Sequence, residues 1–185
     1  MVTLDGYFEG PDHDLGWHNV NREFNAFAVE NMNDADTLLF GRRTYELMAG
    51  FWPHYEVRDG DRDNASVAEK MNNLPKIVFS RTLMTVEQSA KWKNVTLVRS
   101  NLTEEITNLK QQPGKDLMIL GSSNLCVSLL ESGLLDELRI MINPVVIGAG
   151  TPLFSGIKKE FTFKLLKTRT FESGNILLYY QPSAA

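Results

Sequence analysis

A chain of 185 residues, 43% hydrophobic and 23% charged, has the make-up of one globular domain large enough to fold without staples. Its net charge of -4 excludes the overall basic surface of a nucleic-acid binder. A single cysteine, Cys126, excludes an internal disulfide and a cysteine-built zinc site, and no apolar run nears the ~20 residues of a membrane helix.

In chain order, residues 1–8 read as a strand, and Met1-Val2-Thr3-Leu4 as the end of a strand whose beginning is missing. Asn21 caps a predicted helix over 22–33, because Phe24, Phe27, Ala28 and Met32 share one face. Thr37 to Phe40 is a short buried strand ending at Gly41, and a helix starts at once from Arg42 with Gly50 as its stop. The charged stretch Glu56 to Asn64 reads as an exposed loop, and Asn64 to Asn72 as a helix broken by Pro75. Ile77 to Phe79 and Val95 to Val98 are strands. Thr103 caps a helix with Glu104 and Glu105 in its first turn, stopped by Pro113-Gly114. Leu117 to Leu120 is a buried strand running into Gly121-Ser122-Ser123, and the helix after it stops at Gly133.

From Glu137 the period changes to two. Leu138, Ile140 and Ile142 alternate with Arg139, Met141 and Asn143, Phe161, Phe163 and Leu165 alternate with Thr162 and Lys164, and Ile176, Leu178 and Tyr180 form the last alternation. Ser173-Gly174-Asn175 supplies turn chemistry before the last strand. Strand–helix alternation followed by consecutive strands predicts an α/β fold with a mostly parallel central sheet and an antiparallel C-terminal edge.

Four places carry candidate chemistry. At Gly41-Arg42-Arg43-Thr44 a buried strand ends on glycine and a helix begins. Its free N–H groups and partial positive charge suit an anion, with the Thr44 hydroxyl and two arginine forks beside them. Gly121-Ser122-Ser123-Asn124-Leu125 repeats the arrangement and suits a pyrophosphate. Ser80-Arg81 also follows a strand, and Arg81 suits a ribose 2′-phosphate, which favours NADPH over NADH. Thr3-Leu4-Asp5-Gly6 sets a carboxylate beside a glycine that lets a ring approach. Each also fits a plainer account: an ordinary helix start, a surface turn or an Asp-Gly turn. Two glycine junctions at strand C-terminal ends are more telling together, because ligands of open α/β sheets bind there.

Other residues read as structural. His13, His18 and His54 lack zinc spacing and read as surface or loop residues, so no metal is expected. Cys126 reads as core. Of the three tryptophans, Trp17, Trp52 and Trp92, each is expected in the core or a lid. The common dinucleotide, P-loop and hydrolase motifs are absent, as is the H-x-E with P-C-x-x-C zinc signature of deaminases.

The order of these motifs resembles the dihydrofolate reductase superfamily, in the branch of the C-terminal reductase domain of bifunctional riboflavin-biosynthesis deaminase-reductases. Thr3-Leu4-Asp5-Gly6 is similar to the family's S/T-L-D-G, Gly41 to Thr44 to its G-R-x-T, and Gly121 to Ser123 to its small-residue cofactor loop. Asn143-Pro144 through Leu153-Phe154 is similar to its P-x-x-x-G-x-G-x-P-L-F segment. The resemblance implies a three-layer fold over residues 1–185, with helices on both sheet faces, and a cytoplasmic homodimer that binds NADPH. It implies phosphate contacts from Gly41, Arg42, Arg43, Thr44, Ser80, Arg81 and Gly121 to Leu125. It gives Asp5 a catalytic place, and Gly6, Trp17 and Glu23 places against a heterocyclic substrate. The implied reaction is that of a 5-amino-6-(5-phosphoribosylamino)uracil reductase, with a pterin-type reductase or a non-catalytic NADP-binding module as alternatives.

Overall fold

A computed structural model describes residues 1–57 and 62–183. The chain divides into two compact units, residues 24–125 and residues 1–23 with 126–185.

The 24–125 unit is built on a parallel sheet. Its strands are β2 (Ala35–Gly41), β3 (Lys76–Phe79), β4 (Val95–Val98) and β5 (Asp116–Gly121), in the order β4-β3-β2-β5. Near-continuous apolar runs suit strands covered on both faces, and Leu38, Leu39, Phe40 and Val78 are fully or almost fully buried. Helix α1 (Arg22–Asn33) precedes β2, α2 (Arg42–Phe51) and α3 (Arg62–Asn73) lie between β2 and β3, and α4 (Leu102–Lys110) lies between β4 and β5. The core gathers Phe40, Tyr45, Val67, Met71, Val78 and Trp92. Tyr45 is the pin of α2. Its hydroxyl donates to the Glu87 carbonyl at 3.1 Å and accepts from the Glu87 N–H at 2.8 Å, which locks the first turn of the helix to the 87–92 segment.

One buried charge breaks the apolar pattern. Lys76 on β3 has no exposed surface. Its ammonium donates to the carbonyls of Asn72, Leu74 and Lys93 at 3.0, 2.7 and 2.9 Å and lies over the Trp92 ring. Three donors thus meet three acceptors, as a buried charge requires.

The second unit holds β6 (Leu138–Ile142), β8 (Phe163–Thr170) and β9 (Ile176–Pro182) in an antiparallel sheet ordered β6-β9-β8, and a ribbon of β1 (Tyr7–Glu9) with β7 (Thr151–Pro152). The two boundaries between units fall inside α1 and inside α5 (Ser123–Glu131).

The expected α/β fold, with parallel and antiparallel strands and helices, is the one observed. Several boundaries differ. Residues 1–8 are not one strand: Val2 makes an isolated bridge to Ile142, residues 4–5 turn, and β1 starts only at Tyr7. The antiparallel strands form sheets of their own, because alternation tells which face is apolar and not which strand is the neighbour. Gly50 does not stop α2, which runs on to Phe51 and a 3-10 turn over Trp52–His54 that carries Pro53. The α4 cap is Asn101, with φ 57°, rather than Thr103, which lies inside the helix. Of the stretch 56–64, residues 58–61 lie outside the described residues. From Arg62 the chain is helical, because Val67, Ala68 and Met71 bury one stripe of α3.

Candidate functional site

Parallel strands bring their C-terminal ends to one edge. The register pairs Gly41 with Phe79, Phe79 with Val98, and Phe40 with Gly121. The ends of β5, β2, β3 and β4 therefore follow one another at steps of ~4.8 Å. Along that edge lie Gly121-Ser122-Ser123, Gly41-Arg42-Arg43-Thr44 and Ser80-Arg81.

The two glycine junctions touch. A Cβ on Gly41 would overlap the Ser122 hydroxyl and stand 3.1 Å from Ser122 Cβ. A Cβ on Gly121 would stand 2.7 Å from Thr44 Oγ1 and 3.2 Å from its Cγ2, and Gly121 has φ +136°. Glycine therefore relieves crowding at both positions, and at Gly121 it also suits the backbone conformation. The Gly121-Ser122 peptide is cis.

Electrostatics at these helix starts favour an anion. Among the described residues, α1 carries Glu23 in its first turn, α3 carries Asp63, and α4 carries Glu104 and Glu105. Only α2 and α5 have no acid there. Gly41, the cap of α2, makes no side-chain capping bond. Neither of the two starts that meet thus carries an acid to offset the positive end of its helix dipole.

The remaining expected cofactor residues take distinct places. Arg42 is exposed and pairs with Glu46 at 3.3 Å, one turn along α2. Arg43 is exposed. The Ser80 hydroxyl accepts from the N–H groups of Thr82 and Leu83 at 3.3 and 3.0 Å, so it shapes the turn that displays Arg81. Ser123 is buried, Asn124 is exposed, and the Leu125 side chain is buried, which leaves its main chain as the part suited to a ligand. Sequence reasoning missed Arg99. It directly follows β4, and its guanidinium reaches the Arg81 carbonyl at 3.5 Å, so two arginines stand at this end of the edge. An arginine immediately after a strand was the available signal.

The expected substrate residues all lie in the other unit. Asp5 is exposed in a turn closed by the Gly6 N–H donating to the Thr3 carbonyl at 3.0 Å, with Gly6 at φ +83°. Its carboxylate accepts from the Gly148 N–H at 2.8 Å and the Ile147 N–H at 3.3 Å. The Thr3 hydroxyl, foremost, and these amides hold its pKa below the usual carboxylate value. Trp17 is half-buried, edge-on to the His18 ring at 4.4 Å, and its indole N–H has no partner among the described residues. Glu23 accepts from the Glu172 N–H, in the turn between β8 and β9, at 2.9 Å.

His18 lies in a loop, as expected, but is half-buried rather than exposed. Burial lowers its pKa to about 4, and its Nε2 has no partner among the described residues. Cys126 is core-like as expected, with burial raising its thiol to about 11. Trp92 is core, at 1% exposure. No group of three or more His, Cys, Asp or Glu among the described residues is placed to hold a metal, and no described helix is long and apolar enough to cross a membrane.

A parallel sheet with two acid-free helix starts meeting at its C-terminal edge makes this an open α/β domain, the class whose ligands bind at such edges. The chain belongs to the RibD C-terminal domain family, whose pattern it matches over residues 1–177. It is 34% identical to the uncharacterized protein YyaP of Bacillus subtilis, over 97% of this chain and 90% of that one. The fold is similar to that of a putative riboflavin biosynthesis protein from Shewanella sp. PV-4, with a TM-score of 0.74, 24% identity and coverage of 99% and 96%. It is also similar to a diaminohydroxyphosphoribosylaminopyrimidine deaminase/5-amino-6-(5-phosphoribosylamino)uracil reductase from Thermotoga maritima, with a TM-score of 0.69 and 18% identity. There 98% of this chain covers 54% of the other, about half of the bifunctional protein.

Proposed function

We propose that the chain is an NADPH-dependent reductase of a heterocyclic substrate, most like the reductase step named for the Thermotoga relative. One observation carries this reading: the α2 and α5 helix starts, free of acids, meet at Gly41 and Gly121. The donor set fits the cofactor. Amides of residues 42–44 and 122–124, with the hydroxyls of Thr44 and Ser122, would hold its pyrophosphate. Arg81 and Arg99 would hold the 2′-phosphate, where planar guanidinium forks suit a dianion. Arg42 would leave Glu46 for a phosphate.

When bound, NADPH supplies a hydride, and the protein's part is to bind, orient and exclude water. Gly41 lets the chain approach Ser122, and Gly121 lets it approach the Thr44 side chain. Tyr45 keeps the first turn of α2 in place through Glu87. Trp17 is assigned to the substrate because its buried indole N–H has no partner among the described residues. We assign the chain to the cytoplasm, where the lone thiol of Cys126 stays reduced. We also assign it a homodimer, with the exposed Leu165, Leu166 and Ile176 of β8 and β9 at the contact.

Thermal shift with NADPH, NADH and FMN tests the cofactor first. At a hundred times the dissociation constant, NADPH should stabilise by ~2.7 kcal/mol. NADPH oxidation with pyrimidine and pterin acceptors then separates a reductase from a binding module that lacks turnover. Equal shifts for all three nucleotides, or none, would count against the reading.

A further inference from the structure

Two of the four motifs meet at the sheet edge. The other two meet in the second unit. The segment Asn143 to Phe154 wraps around the turn at residues 3–9. At one end, the Leu4 N–H donates to the Val145 carbonyl at 2.8 Å. At the other, Gly150, with φ +146°, packs so closely on the Glu9 carbonyl that no Cβ fits, and the Thr151 hydroxyl donates to the Glu9 carboxylate at 2.9 Å. Between these fixed points Asp5 accepts the amides of Ile147 and Gly148. The Tyr7 hydroxyl reaches the Gly148 carbonyl at 3.4 Å. Thr3, at 1% exposure, accepts from the Tyr7 N–H at 2.9 Å and steadies the turn that carries Asp5.

We infer that Asp5 is a positioning residue for substrate, acting through the Val146–Gly148 loop, and is not the acid that protonates it. A carboxylate that accepts two main-chain amides is held ionised, because each of those bonds favours the charged form. It has no proton to give near neutral pH. What it fixes instead is the position of its own neighbour Leu4 and of Val146, beside Ile147. These side chains stay 62% and 66% exposed. They form an uncharged wall suited to the flat face of a heterocycle. The inference rests on the reductase reading for what that wall meets, and on the geometry alone for the anchor.

The test uses the full chain with Asp5→Ala and Asp5→Asn. Amide hydrogen exchange without ligand should show Ile147 and Gly148 about tenfold faster in Asp5→Ala, with β6 and β9 amides unchanged. The Asn carbonyl still accepts, so Asp5→Asn should recover most of the protection. With NADPH and a pterin or pyrimidine acceptor, Asp5→Ala should raise the acceptor KM more than it lowers kcat. Wild-type exchange at Ile147 and Gly148 in Asp5→Ala would overturn the anchor. An Asp5→Asn that keeps the loop protected yet loses kcat as fully as Asp5→Ala would show that the carboxylate does the chemistry. A wild-type chain with no NADPH turnover would defeat the reductase reading, while the exchange result still decides the anchor.

Discussion

Gly41→Ala isolates the contact between the two junctions. Gly41 has φ -78° and ψ 161°, a conformation any residue adopts, so alanine adds no backbone strain there. Whatever it costs comes from the neighbour. The new Cβ overlaps the Ser122 hydroxyl, which can rotate away. Ser122 Cβ and N, at 3.1 and 3.2 Å, can yield only if the β5–α5 turn shifts. Crowding of this kind costs ~2 kcal/mol in a packed site. Against it, alanine stiffens the unfolded chain and returns ~0.7 kcal/mol. The expected net loss is about 1 kcal/mol, read from urea unfolding at unchanged slope. In a Ser122→Gly background the Cβ and hydroxyl are gone, and only the unfolded-state gain remains beside a relaxed contact. Gly41→Ala should then be neutral or slightly stabilising, a coupling of about 1 kcal/mol. A cost that is the same in both backgrounds to within ~0.3 kcal/mol would refute the contact.

Other consequences are as definite. Arg81→Ala should weaken NADPH by roughly tenfold or more and NADH little, since a charge-assisted bond to the 2′-phosphate is lost. Equal losses by titration would remove Arg81 from that role. Lys76→Met should lower stability by ~2 kcal/mol, because three carbonyls lose their donor while a desolvated charge is relieved. A more stable variant would show that the burial penalty dominates. For His18, the folded pKa of about 4 lies below the ordinary 6.5, so the unfolded chain binds the proton first. Its contribution is complete above pH 6.5, fades as pH falls to about 4, and changes no further below that. The shift corresponds to ~3 kcal/mol, and to ~2 kcal/mol after allowing for the part of the ring that water screens. His18→Phe should flatten the acid limb of the stability–pH curve. An unchanged limb would contradict the buried neutral imidazole.

Sequence made the junctions legible because both rest on local physics. An apolar run, a glycine and a helix start mark Gly41 and Gly121 without any neighbour being known. Their contact was not legible, since eighty residues of spacing do not say which strands pair. The same holds for Asp5: the Asp-Gly turn was visible, but its partners lie 142 and 143 residues away. Lys76 shows a different limit. Periodicity marks a lysine as exposed, and only the three carbonyls that converge on it make its burial tolerable. His18 is hidden likewise by tertiary packing that its spacing does not reveal. Strand β8 is exposed over most of its length, so its apolar residues reported a strand without reporting a core.

The central claim is that phosphates sit where α2 and α5 begin. Backbone amide NMR during titration with NADPH tests it most directly. Residues 42–45 and 122–125 should shift together, with one dissociation constant, and gain protection from exchange. Saturable binding that leaves those amides still, and moves others instead, would contradict it.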